Sequence, residues 1–298
     1  MTRTDGPARF VPRPGERIAV AAGGGNLPIE IVDALVAAGH RPFVVIIEGE
    51  ADVRSPSLAG QDHWVMPLER VGELAARFRR EGVTHMVMAG GIARRPRLRG
   101  MRPSLGVLHM APRVATSLLR GDDGLLRAIV RYFEGLGVVI VGAHEILPDL
   151  LTARGRLTRL APSSRDAADM KAAAIAAKAI GALDIGQAAV AIGGRAIALE
   201  GIEGTDGLLQ RTRDLRFNGR IAGHSGGVLV KCVKPGQEVR VDLPTIGVGT
   251  VELAHAAGLA GIGVEADRSI ILDQAGTVAR ADELGLFIVG LTEPDWTA

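Results

Sequence analysis

The sequence predicts an α/β protein of two domains: a doubly wound parallel sheet over residues 17–150, and an α/β domain of shorter strands over 160–293, with an extension at 1–16. Three observations predict it. Apolar, β-branched runs alternate with helical periods through the first half, and glycine turns stand where the strands end. Aromatic residues make up only 3% of the chain, so Leu, Val, Ile and Ala must fill the cores, which suits parallel strands beneath Ala-rich helices. The texture then shifts near Leu150, where a loop carrying Arg154, Gly155, Arg156 and Pro162 places a domain boundary between about 146 and 162.

Arg17 to Ala22 reads as a short apolar strand that runs into Gly23-Gly24-Gly25-Asn26-Leu27-Pro28. Pro28 opens a helix with Ile29, Val32, Leu35 and Val36 on one face, since the first turn offers no intrahelical partner for an N–H. Phe43 to Ile47 is the continuous apolar run of a buried parallel strand. From Leu68 to Glu81 the period is helical: Leu68, Val71, Leu74, Ala75 and Phe78 form one stripe, opposite Glu69, Arg70, Glu73, Arg77 and Arg80. His85 to Ala89 is the next strand and ends in Gly90-Gly91. Asp122 and Asp123 introduce a helix from Gly124 to Leu136, and Val138 to Val141 is a further strand. Ligands of such sheets sit at the carboxyl ends of strands, near the switch point.

Beyond the boundary an Ala-rich helix runs from Ser164 to Ile180. Strands follow at Ala188 to Ile192 and Arg195 to Glu200, then a helix after Thr205 and a strand at Val228 to Val233. A helix around Thr250 to Ala257 and strands near Gly261 to Glu265, Ser269 to Leu272 and Leu286 to Val289 complete the domain.

Composition excludes several classes. With 47% hydrophobic and 23% charged residues the chain is globular, and a net charge of +2 creates no field that would gather nucleic acid. Arg94, Arg95, Arg97, Arg99 and Arg102 cluster in one loop, which fits a solvated segment or an anionic ligand or headgroup contact. Cys232 is the single cysteine, so neither an intrachain disulfide nor a thiolate zinc cluster can form; it reads as a small strand hydrophobe. The first sixteen residues lack an apolar run, and no stretch approaches the roughly 18 apolar residues of a membrane span. The chain is expected in the cytoplasm, with peripheral contact on the inner membrane open to it.

Five segments can carry chemistry. The glycine loop at Gly24, Gly25 and Asn26 fits a tight turn, a nucleotide or sugar-phosphate cradle, or a dinucleotide site with Glu48 on the ribose; the last departs from G-x-G-x-x-G at Pro28. Asp122 and Asp123 cap a helix or face a ligand or metal. His144 and Glu145 directly follow a buried strand, as structural groups or substrate contacts. In Glu203-Gly204-Thr205-Asp206-Gly207, Thr205 or Asp206 caps a helix, or Thr205 meets phosphate or uridine while Asp206 meets metal or water. Lys231 to Gly249 is the sharpest: Lys231, Lys234, Glu238, Arg240 and Asp242 precede the Pro244-Thr245 turn. Pyrophosphate cleavage needs cations, a carboxylate for metal or water, and backbone donors, all of which this stretch can supply, although alternating charge also suits an edge strand.

Six blocks in order then resemble a known family: AGGGNLP (22–28), GDDGLLR (121–127), GAHE (142–145), LDIGQ (183–187), EGTDGLL (203–209) and KPGQEVRVDLPTIG (234–247). The chain resembles the two-domain UDP-2,3-diacylglucosamine pyrophosphatases of the lipid A pathway, the form unrelated to calcineurin-like metallophosphoesterases. The resemblance spans about residues 17–291 and implies a Rossmann-like N-terminal domain, an α/β C-terminal domain, substrate held between them and paired chains in a homodimer. It also implies Mg²⁺-dependent hydrolysis to 2,3-diacylglucosamine 1-phosphate and UMP, with water attacking the sugar-side phosphorus. Asp242 is then the catalytic and metal-binding carboxylate, with Asp206 beside it. Gly24, Gly25, Asn26, Gly90, Asp122 and Asp123 become candidate substrate contacts, as do His144, Glu145, Thr205, Lys231 and Thr245. Two other classes compete: an NAD oxidoreductase, recognised by nicotinamide turnover, and a non-catalytic nucleotide or lipid sensor, which would release no UMP.

Overall fold

The computed structural model describes residues 10–92, 122–221, 223 and 225–297, together with the backbone but not the side chains of Asp122, Asp123 and Leu125. The arginine cluster at 94–102 lies outside the described residues. The chain divides into two compact units, Met1–Pro148 with Glu238–Val241, and Asp149–Gln237 with Asp242–Ala298.

The first unit is built on five strands, β1 (Ile18–Ala22), β2 (Phe43–Ile47), β3 (Asp62–Met66), β4 (His85–Ala89) and β5 (Val139–Val141). They pair in parallel in the order β3-β2-β1-β4-β5. Every residue of β1 and β2 is buried, because both faces of the sheet are covered. One face packs Phe43, Met86 and Ile140 against Phe78 and Phe133 of the helices Leu74–Glu81 and Asp122–Glu134. The other packs Val20, Val44 and Val87 against the helix Leu27–Ala37. This is the Rossmann-like order, with its switch point between β1 and β4.

Several local expectations need correction. Helix Leu27–Ala37 buries Val32 and Leu35 as read, with Ile29 partly buried, but Pro28 and Ile31 complete the stripe while Val36 is exposed. Leu68–Glu73 winds as a 3₁₀ helix before the α-helix Leu74–Glu81 begins. Strand β3 has no counterpart in the sequence reading. Its Asp62, His63 and Val65 are exposed, as befits a sheet edge, and Asp62 is paired with Arg17. The described part of the N-terminal extension is attached: Phe10 N–H donates to Glu145 O at 2.6 Å, and its ring packs on His85 at 5.0 Å.

The second unit carries a six-stranded sheet of β6 (Gly155–Arg156), β7 (Ala188–Ile192), β8 (Arg195–Leu199), β9 (Val228–Lys231), β11 (Gly261–Glu265) and β13 (Phe287–Leu291), in the order β6-β13-β11-β9-β7-β8. The central β9, β11 and β13 are parallel, while β6, β7 and β8 run antiparallel to their neighbours. Gly193 and Gly194 both take positive φ in the tight β7–β8 hairpin, a backbone that two glycines adopt at little cost. Beside this sheet β10 (Thr245–Ile246) pairs in parallel with β12 (Ile270–Ile271). The Ala-rich helix Ser164–Ala182 covers one face and buries Ala173, Ala174 and Ala177 against Val228 and Val230. The helices Gly204–Phe217 and Val248–Ala256 cover the other. Helix Gln274–Leu284 went unread although its signals stand in the sequence: Asp273 accepts from Gly276 N–H at its start, and Gly285 takes a positive φ at its end.

Candidate active site

Within the second unit, three separated segments converge on Lys231. This residue closes β9, is only 6% exposed, and donates from Nζ to the backbone oxygen of Thr245 at 3.0 Å. Burial lowers its pKa, and the negative charges of Glu200, Asp242 and Asp206 oppose that shift, so all three carboxylates act on the one ammonium. Glu200 follows β8 and is 5% exposed. It accepts from Gln187 N–H at 2.7 Å and from Thr205 Oγ1 at 2.7 Å. Gly186 lies so close to Glu200 that any Cβ there would overlap the Glu200 backbone oxygen.

Asp242 is half-buried and is held by Gln237, whose Nε2 donates to Asp242 Oδ2 at 2.6 Å while its Oε1 accepts from Lys234 N–H at 2.9 Å. Lys234 in turn pairs with Asp184 at 2.8 Å. Residues of the LDIGQ, EGTDGLL and KPGQEVRVDLPTIG blocks therefore form one connected polar cluster.

Three expectations change here. Thr205 and Asp206 do not cap their helix; Glu203 holds the N-cap position, and both lie in the first turn, where Asp206 also meets the positive end of the helix dipole. The hydroxyl of Thr245 donates to Leu243 O at 2.9 Å, so Thr245 holds Lys231 through its backbone. Lys231–Gly249 is no edge strand throughout, because Glu238–Val241 belongs with the first unit. There Arg240 pairs with Glu238 at 2.8 Å and Glu134 at 2.6 Å, and Val241 packs against the core. The hydrogen bond from Arg240 is the main cause that lowers the Glu238 pKa. Glu200, Gln187 and Gln237 were not foreseen as site residues, although Glu200 at a strand end directly before glycine was a readable signal.

The remaining candidates lie in the first unit. Gly24 exchanges two backbone hydrogen bonds with Gly91, at 2.7 and 3.1 Å, and Gly23 N–H donates to Ala89 O at 2.8 Å. The N–H groups of Gly23 and Gly24 are thus spent on joining the ends of β1 and β4, beside Gly90, and are unavailable to phosphate. Gly25 takes φ +89° and faces open space, and the side chain of Asn26 makes no cap bond. Asp122 and Asp123 begin their helix, and their side chains lie outside the described residues. Glu145 accepts from Gly142 N–H at 2.9 Å and so caps its own short helix. Burial lowers the His144 pKa against the pull of Glu145, which favours a neutral imidazole there.

Among the described residues, no group of three or more His, Cys, Asp or Glu is arranged to hold a metal. Mg²⁺ needs fewer, since it keeps several waters and binds through one or two carboxylates plus substrate phosphates. Asp206 and Asp242 have the chemistry of that smaller donor set, two carboxylates within the second unit. Cys232, next to this lysine, has its thiol pushed up to about 12 by burial. The folded protein is therefore expected to resist iodoacetamide at mildly alkaline pH, with about three decades less thiolate than an ordinary cysteine, and to react fully once denatured. Mass spectrometry of the labelled protein checks this.

Residues 17–150 match the model of the LpxI N-terminal domain, and residues 153–289 match that of the LpxI C-terminal domain. The chain belongs to the LpxI family. A relative from Caulobacter vibrioides, the UDP-2,3-diacylglucosamine pyrophosphatase LpxI, is 39% identical over 277 residues, covering 92% of this chain and 97% of that protein. Likeness to solved structures is slight: CobK precorrin-6A reductase aligns with TM-score 0.32 and 13% identity over 95% of this chain and 90% of that one. An isoflavone reductase aligns with TM-score 0.26 and 11% identity over 94% and 80%. Neither carries an argument at those scores. The Lys231 cluster falls within the LpxI C-terminal match, and the Gly24–Gly91 pairing within the LpxI N-terminal one. No helix among the described residues is long and apolar enough to cross a membrane.

Proposed function

We propose that this LpxI-family chain hydrolyses the pyrophosphate of UDP-2,3-diacylglucosamine with Mg²⁺, giving UMP and 2,3-diacylglucosamine 1-phosphate for lipid A biosynthesis. Family membership and the Caulobacter relative make it a pyrophosphate hydrolase. The site assignment is supported by the hydrogen bonds that tie buried Lys231 to Thr245 O, Asp242 to Gln237 and Glu200 to Thr205, and by the negative charges of Glu200, Asp242 and Asp206 acting on Lys231.

Hydrolysis adds water across one P–O bond of the P–O–P bridge, and charge builds on the phosphoryl oxygens as that bond breaks. Protonated Lys231 would set a positive charge against the phosphates from a buried position, where it counts for more than in bulk solvent. Asp242, aimed by Gln237, orients the attacking water and accepts its proton, and Asp206 assists. Mg²⁺, held by Asp206 and Asp242 with substrate phosphates, would polarise the phosphoryl oxygens. Water attacks the sugar-side phosphorus in this scheme, so ¹⁸O from labelled water enters the sugar phosphate. Label in UMP would reverse that assignment.

Incubation with UDP-2,3-diacylglucosamine and Mg²⁺ should release UMP, and none should appear when the ion is chelated. Failure of the unmutated chain to release UMP under any divalent ion overturns the reading. Asp206→Asn is expected to lower kcat by roughly ten- to a hundredfold, less than the corresponding change at Asp242, because Asp206 is exposed and its field is screened by solvent. Steady-state kinetics at saturating substrate measures the difference. The proposal includes a homodimer, checked by light scattering, and a cytoplasmic chain that approaches its lipid substrate at the membrane surface.

A further inference from the structure

Thr205 was expected to offer its hydroxyl to a phosphate or to uridine. The geometry forbids a donation. A threonine hydroxyl has one hydrogen and two lone pairs, and an ionised carboxylate has no hydrogen to give. The 2.7 Å contact between Thr205 Oγ1 and Glu200 Oε1 therefore consumes the threonine's only hydrogen.

Glu200 cannot readily turn away. Its other oxygen accepts from Gln187 N–H at 2.7 Å, its own N–H donates to Ala188 O at 2.9 Å, and the backbone of Gly186 lies against it. At 5% exposure no water shell competes for the carboxylate. Thr205 stands directly before Asp206 in the first turn of its helix, and Glu200 and Asp206 both act on Lys231. The hydroxyl is thus fixed as an acceptor in the same helical turn as Asp206. A phosphate oxygen would meet its lone pairs and be repelled, whereas a hard cation takes such an oxygen as a ligand.

We propose that Glu200 is a positioning residue which, by taking the hydroxyl hydrogen of Thr205, turns Thr205 Oγ1 into a ligand for a divalent cation beside Asp206 and Asp242. This rests on the metal-assisted hydrolysis proposed above, and the test separates the two. Mn²⁺ binding to the full-length chain is followed by electron paramagnetic resonance without substrate, and UMP release is measured in parallel.

Thr205→Val, which keeps the shape and removes the oxygen, should weaken Mn²⁺ binding about tenfold or more, and Thr205→Ser should recover most of that loss. Glu200→Gln gives its amide oxygen to Gln187 N–H and its NH₂ to Thr205, so the hydroxyl hydrogen swings towards the cation; a similar loss is expected. The double variant Glu200→Gln/Thr205→Val should bind within about twofold of the weaker single variant, because both changes remove the same acceptor. Should Glu200→Gln fail to fold, the Thr205 pair still decides whether the oxygen is a ligand. Mn²⁺ binding that is absent, or indifferent to Thr205→Val, overturns the proposal even if UMP is released normally. Binding lost in Thr205→Val but intact in folded Glu200→Gln overturns the positioning role. The full binding pattern without UMP release upholds the metal ligand and sinks the hydrolase reading instead.

Discussion

Replacing Asp242 with asparagine is expected to lower kcat about a thousandfold and leave the fold intact. The asparagine has the same shape, and its Oδ1 can still accept from Gln237 Nε2, the contact that holds the side chain at 2.6 Å in the unmutated protein. What disappears is the charge, and with it the proton acceptor for water and the carboxylate ligand for metal. A positioned general base contributes about 10²–10⁴ in rate, and a thousandfold corresponds to roughly 4 kcal/mol of transition-state stabilisation. KM should rise as well, since the metal that Asp242 would hold is shared with the substrate phosphates. Measured kcat within about tenfold of the unmutated enzyme would remove Asp242 from the centre of the mechanism. A lowered melting temperature alongside lost activity would instead mark a structural role, so both quantities are needed.

The largest effect on stability is expected at Gly90→Ala. This residue takes φ +85°, which an alanine adopts at a cost of about 1–2 kcal/mol. Space is the greater obstacle: a Cβ there would overlap Gly24 O and lie 2.8 Å from Gly23 C, both backbone atoms with no flexible end to move aside. Relief requires parting the loops after β1 and β4, and with them the two Gly24–Gly91 hydrogen bonds, worth about 1 kcal/mol each. A total of about 3–5 kcal/mol should lower the melting temperature by roughly 10 °C or more. Gly25→Ala separates the two causes. It shares the positive φ, at +89°, but its Cβ would meet open space, so it should cost only the backbone share. Equal losses at both positions would refute the crossing as the source.

What the sequence disclosed follows burial. β2 and β7 begin and end where their apolar runs do, because strands buried on both faces carry an uninterrupted apolar signal, and β4 and β11 depart from it only at His85 and Glu265. β3 carried none, because an edge strand answers to solvent on one side and to Arg17, Arg70 and Arg77 on the other. At the site, Asp206, Asp242, Thr205, Thr245 and Lys231 were legible as residues of short blocks. Their wiring was not. Which hydrogen Thr205 gives away, and that Thr245 serves through its backbone, depend on Glu200 and on the approach of β9 to β10, which no local pattern encodes. In the glycine loop, Gly23 and Gly24 let two backbones meet, a crossing that the local pattern of glycines does not disclose.

The membership of Glu238–Val241 in the first unit bears on how the chain is made. Synthesis delivers residues 149–237 between the two pieces of that unit, so it is complete only after most of the second unit has emerged. At ~5–20 residues per second the interval is on the order of ten seconds, long compared with helix or hairpin formation. Until then Glu134 lacks Arg240 and the nearby core lacks Val241. The same four residues separate Gln237 from Asp242, so the hydrogen bond between those two side chains closes only as the late piece is laid down. A nascent chain truncated at residue 237 would carry all five strands of the first sheet and β6, β7, β8 and β9 of the second, and would still lack Asp242.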